Sequence, residues 1–139
     1  MTSVLVVSED AFFLGAAHGE LTRLGARVVG CMGPAQSACE LYEHGSCPFA
    51  EHADIVIVDA PSTGTFCRGI TSIPAGTYAS HLASRHPRSL VLLCGAPEGS
   101  VGATGEAVGV VDRRTALSAA RYAAMVQNVD LEEAGGRAK

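Results

Sequence analysis

Three carboxylates, Glu9, Asp10 and Asp59, stand where two short hydrophobic runs end. Val4-Leu5-Val6-Val7 opens onto Ser8-Glu9-Asp10, and Ile55-Val56-Ile57-Val58 opens onto Asp59. Carboxylates of this kind are oxygen ligands for a hard cation, and an aspartate beside such a cation is suited to receive a phosphoryl group. That chemistry requires the acids to be gathered at one place. In an open parallel α/β sheet, ligand crevices lie outside the carboxyl ends of the strands, which is where both runs deliver their acids.

The elements that must position these residues follow from the apolar pattern. Residues 4–7 form a continuous apolar run, the mark of a strand buried on both faces. From 11 to 24, Phe13, Ala17, Leu21 and Leu24 make a helical stripe that ends before Gly25, and 26–29 is a short second strand. Gly33-Pro34 starts a helix with Ala38, Leu41 and Tyr42 on one face, and Gly45 stops it. Residues 46–52 read as a loop and 54–58 as the third strand, the most β-branched of all. Residues 60–74, rich in Pro, Ser, Thr and Gly, read as a long loop over the strand ends, where function tends to sit.

Tyr78, Leu82 and Arg85 line a helix that must finish near His86, because Pro87 follows, and 89–94 is the fourth strand. Residues 96–107, with three glycines and a proline, are expected to shorten or replace the helix due there. Residues 108–111 make the fifth strand. Thr115 is placed to cap a last helix with Leu117, Ala120, Ala124 and Met125 facing inward. The chain thus divides into one domain over 1–129 and a disordered charged tail over 130–139. The alternation predicts an α/β, flavodoxin-like three-layer sandwich with a five-stranded parallel sheet in the order 2-1-3-4-5. In that order strands 1 and 3 are neighbours, so Glu9, Asp10 and Asp59 come close in space.

Composition narrows the function classes. A chain of 139 residues, 47% hydrophobic and 17% charged, suits one compact domain with a real core. Its net charge of −4, with Arg113-Arg114 as the sole basic pair, argues against nucleic-acid binding. No stretch is long enough for a signal peptide or membrane span, so a cytoplasmic protein is expected. Cys31, Cys39, Cys47, Cys67 and Cys94 are odd in number and lack a CxxC pair, which predicts reduced thiols rather than disulfides or a zinc site. The histidines, His18, His44, His52, His81 and His86, show no ligand pattern and are expected at the surface. No histidine is placed to activate Ser62, Thr63 or Thr65, so no nucleophilic triad and no enzyme activity is predicted.

Over nearly its full length the chain resembles the receiver domain of two-component response regulators. The resemblance rests on Val4-Leu-Val-Val-Ser-Glu-Asp10, on Asp54-Ile-Val-Ile-Val-Asp59, on their spacing and on the order of elements. It implies Asp59 as the phosphoacceptor. The family's two metal-binding acids map onto Ser8 and Glu9, with Asp10 able to compensate for the neutral Ser8, so Glu9, Asp10 and Asp59 are the implied ligands of Mg²⁺. Cys94 occupies the place of a Ser or Thr that bonds the phosphoryl oxygen, and a thiol is a poor donor for that role. The family's Lys-Pro after strand 5 is replaced within Val110-Val-Asp-Arg-Arg114. Asp112 or Arg113 takes the lysine's place according to register, and Gly109 as anchor favours Arg113. In neither register is the family's aromatic switch residue kept.

The reading drawn from these departures is an atypical, stand-alone receiver-like signalling domain that acts through protein contacts without standard aspartate phosphorylation. Its implied partners are a sensor kinase or a downstream effector, with a possible homodimer through the last strand and helix near Leu117, Tyr122 and Met125. Cys94 is expected to close the core as a small hydrophobe. One alternative is an ordinary phosphoacceptor using Asp59 with Mg²⁺, Cys94 and Arg113 contacting the phosphate. Another is a small flavodoxin-like protein binding a nucleotide or flavin, against which the acidic rather than Gly-rich first turn counts.

Overall fold

The computed structural model describes residues 1–34, 39–68, 71–95 and 107–137, and for 68, 71 and 127–137 the backbone alone. In chain order, β1 (Ser3–Val7) leads to α1 (Ala11–Arg23), β2 (Arg27–Cys31) and the short helices α2 (Glu40–His44) and α3 (Pro48–Glu51). Next come β3 (Ile55–Asp59), a hairpin of β4 (Thr65–Arg68) and β5 (Thr71–Pro74), α4 (Ala75–Arg85), β6 (Leu90–Cys94), β7 (Val108–Val110) and α5 (Arg113–Arg137). The main sheet runs β2-β1-β3-β6-β7 with every pairing parallel. With the hairpin set aside, this is the expected 2-1-3-4-5.

Strand β3 is central and every residue in it is buried. Its side chains alternate between two cores, which is why its sequence shows no polar face. Val56 and Val58 join Tyr78, Ala79 and Leu82 of α4 on one side. Ile55 and Ile57 join Phe13, Ala17 and Leu21 of α1 and Ala116, Ala120 and Ala124 of α5 on the other.

Several local expectations are revised. The segment 46–52 contains α3, which begins at Pro48; the preceding backbone N–H, on Cys47, donates to His86 Nε2 at 3.0 Å. His86 is therefore a buried acceptor, not a surface histidine. The segment 60–74 is not all loop. It holds the antiparallel hairpin in which Phe66 pairs with Ile73, and Phe66 packs edge-on against Tyr78 with ring centroids 5.4 Å apart. Gly33, at φ +103°, allows this closure, because a Cβ there would meet the Phe66 ring at 2.9 Å. Strands of four residues with one inward anchor leave no readable period.

The cap of α5 is Asp112 rather than Thr115: its carboxylate accepts the Thr115 N–H at 2.6 Å. Met125 is 53% exposed and does not face the core. The α5 backbone runs on past Val129 to Arg137, over residues read from the sequence as a tail, with Leu131, Glu132, Glu133 and Ala134 favouring helix and Gly135 and Gly136 opposing it. The helix stop at Gly45 agrees with the sequence, since Gly45 sits at φ +83°. Ala38 and the glycine-rich 96–106 lie outside the described residues, as does the question of the helix that the latter was expected to replace.

His86 carries a pH dependence whose sign can be worked out. Burial, opposed by the nearby Glu51 charge, pulls its pKa below the ordinary 6.5. On acidification the unfolded chain takes up this proton first, so the stability contributed by the neutral ring is complete above about 6.5 and lost as pH falls through the folded value. His86→Gln keeps an acceptor for Cys47 but cannot titrate. Urea unfolding midpoints measured from about pH 7.5 to about pH 5 should fall less steeply for this variant than for the wild type.

Candidate functional site

Asp59 ends β3 between the carboxyl ends of β1 and β6, and only 2% of it is exposed. A carboxylate taken this far out of water needs donors on both oxygens. Four side-chain bonds supply them. Arg113 forms a fork, Nε donating to Oδ1 and Nη2 to Oδ2, each at 2.8 Å. Ser8, fully buried, donates its hydroxyl to Oδ2 at 2.6 Å. The Cys94 thiol completes the set toward Oδ1 at 3.8 Å.

Each donor is held by the fold. Ser8 follows β1, and its backbone N–H continues the pairing to Cys31 C=O at 2.9 Å, while its oxygen accepts the Asp10 N–H at 3.0 Å. Cys94 is the direct register partner of Asp59. Burial first, and the charge of Asp59 second, push its thiol up to about 12, so it stays protonated at neutral pH. Arg113 opens α5. Its guanidinium lies 4.7 Å from the centroid of the Phe13 ring and 3.3 Å from Asp10 Oδ2, and the hydrogen bonds to Asp59 foremost raise its pKa further. Gly95, at φ +75°, presses its backbone against Asp59, and a Cβ there would overlap Asp59 Oδ1.

The three acids named from sequence are treated differently. Asp10 is the N-cap of α1, its Oδ1 accepting from Phe12 N–H at 3.0 Å and Phe13 N–H at 3.3 Å, while its other oxygen faces Arg113. Asp10 and Asp59 are thus joined through a guanidinium. Glu9 Oε1 is buried without a hydrogen-bond partner. Among the described residues, the one group of three ligand atoms within 4.8 Å of one another is Glu40, Glu43 and His44 on the exposed side of α2, so Glu9, Asp10 and Asp59 do not converge. His44 Nε2 stands 3.4 Å from Glu40, four residues earlier on the same helix, a neighbour relation that the expectation of surface histidines without a ligand pattern did not include.

With Arg113 in place, a divalent ion at Asp59 does not fit. Both oxygens already receive strong donors, and the guanidinium already places one positive charge where the ion would sit. The parts that sequence reasoning missed are Gly95 and the platform of Phe13. Gly95 had a signal, a glycine directly after a buried strand; Phe13 had none beyond its place in a core stripe.

No protein-family model matches the chain, and no curated protein sequence does. Solved structures do. A response regulator receiver domain protein from Clostridium thermocellum superposes with a TM-score of 0.59 at 16% identity, over 94% of this chain and 99% of the other. The chain has the fold of a receiver domain. The same fold relates it to a protein from Burkholderia thailandensis assigned to pilus assembly, with a TM-score of 0.55 and 19% identity over 89% and 98% of the two chains. A response regulator from Burkholderia pseudomallei, solved with a phosphorylated aspartic acid, a calcium ion and citrate, matches with a TM-score of 0.51 and 17% identity over 96% and 74%.

In this receiver fold, breaking the fork should cost stability unequally from its two ends. Arg113→Ala leaves Asp59 buried and charged, and should destabilise by roughly 2–4 kcal/mol, whereas Asp59→Asn removes the buried charge and should cost less. Urea unfolding of both variants and the double variant should return a coupling of about 1–3 kcal/mol. Additive losses would mean that the fork contributes nothing of its own.

Proposed function

We propose that the chain is an atypical receiver domain that signals through protein contacts while Asp59 remains unphosphorylated. The observation that carries this reading is the Arg113 fork on Asp59, with Ser8 closing the remaining direction. A carboxylate oxygen that attacks phosphorus must present a free lone pair in line with the leaving group. Donors on both oxygens remove that freedom and lower the nucleophilicity. Cys94, a neutral thiol where a hydroxyl would bond the incoming oxygen, weakens the receiving side as well.

A domain of this kind acts through its outer faces. On α5, Tyr122 is 71%, Met125 53% and Val126 40% exposed, and they stand three and four residues apart on one stripe. Such a surface suits a protein partner or a second copy. No helix among the described residues is long and apolar enough to cross a membrane. The nucleotide- or flavin-binding reading has little to build on, because the turn after β1 directs its polar groups to Asp59 and to the first N–H groups of α1.

One observation favours a second reading. The buried, unpartnered Glu9 Oε1 lies on the turn that follows β1, as a ligand of Mg²⁺ would. In that reading Arg113 must swing off Asp59 before a phosphoryl group arrives. Titration with beryllofluoride and Mg²⁺, followed through backbone amide shifts, separates the two. The proposed function expects no saturable change at Asp59, Ala60, Cys94 or Gly95. Saturable shifts there that disappear in Glu9→Gln would overturn it in favour of the phosphoacceptor.

A further inference from the structure

A groove of about 490 Å³ opens beside His86, between the end of α4 and α3, at the amino ends of β3 and β6 and so at the opposite end of the strands from Asp59. Its volume falls in the range of small-ligand sites. Arg85 and Arg88 line it, and neither forms an ion pair among the described residues. His52 and His86 add imidazole groups, and Glu51 is the one carboxylate in the lining. In a chain of net charge −4, this surface carries a local excess of positive charge at neutral pH.

The groove is also pre-formed. The turn from His86 to Ser89 is closed by Ser89 N–H to His86 C=O at 3.0 Å, with Pro87 at the position that fixes its φ and Arg88 at the next. Ser89 Oγ lies 2.7 Å from Ala53 C=O and 3.0 Å from Ala50 C=O, and Cys47 N–H donates to His86 at 3.0 Å. These contacts tie α3 to the turn and brace the backbone of the groove. Ser89 and the Nε2 of His86 are already engaged in them, which leaves the two guanidiniums as the free recognition groups.

Unpaired arginine forks recognise planar or tetrahedral oxyanions by paired charge-assisted bonds. No Phe, Tyr or Trp lines this groove, so charge rather than a large stacking face is its main recognition feature. We propose that the groove binds the phosphate group of a phosphorylated ligand, held by Arg85 and Arg88. This holds whether or not Asp59 accepts phosphate, because the two sites lie at opposite ends of the strands.

The test is an amide-shift titration of the full chain with inorganic phosphate, with a phosphoserine-containing peptide and its unphosphorylated twin, and with sodium chloride at matched ionic strength. Saturable shifts confined to residues 46–52 and 85–89 are expected with phosphate and phosphopeptide. The double variant Arg85→Ala/Arg88→Ala should weaken them by about tenfold or more, and Glu51→Gln should tighten them. Both arginines are exposed, so circular dichroism should show the double variant folded. Tighter binding of the phosphopeptide than of phosphate would assign the group to a partner's side chain, and equal binding to a free phosphate. Identical responses to phosphate and chloride, or undiminished binding by the double variant, would overturn the proposal.

Discussion

The bidentate contact between Arg113 and Asp59 is the constraint on which the upper edge of this domain depends. A carboxylate at the end of a fully buried central strand costs several kcal/mol in lost hydration unless a cation and donors meet it. The fork meets that need with a residue of the chain itself, and in doing so ties the first turn of α5 to β3. Through Asp10 and the ring of Phe13, the same guanidinium is tied to the first turn of α1. Two helices of one layer therefore share a single charged anchor.

The neighbouring residue choices are consistent with that anchor. With one permanent positive charge in the pocket, a third strongly engaged carboxylate beside Asp59 would raise the repulsion, and Ser8 supplies a neutral donor there instead. Cys94 behaves in the same way, since a thiol held up to about 12 stays a neutral donor at any physiological pH. Gly95 completes the closure by bringing bare backbone against the carboxylate, where any side chain would collide. These three contacts are short in sequence from the strand ends and need no further machinery.

Legibility in the sequence followed burial. The apolar runs of β1 and β3 could be read because strands covered on both faces have no polar alternation to obscure them, and Asp59 stood out as the charge that ends such a run. The nearness of Arg113 to Asp59 was legible only as one of two registers, because a three-residue strand such as β7 lacks the length to fix its own frame. The β4-β5 hairpin was hidden since its one deep anchor, Phe66, sits among Thr, Ser and Gly. His86 and the cap at Asp112 depend on partners that no periodicity reports: an amide 39 residues away in the first case, and in the second a choice between two capping residue types three positions apart.

A guanidinium differs from a bound metal ion in a way that bears on what this pocket is able to sense. An ion's occupancy varies with its concentration, and its presence makes a carboxylate ready for a phosphoryl group. Arginine is charged at every physiological pH and is covalently part of α5. A pocket neutralised in this way has a charge state set by the sequence rather than by the surroundings. In the proposed reading, the variable that this domain reports therefore enters elsewhere, through the exposed stripe of α5 or the groove beside His86, while Asp59 and Arg113 keep the two helices in one fixed arrangement.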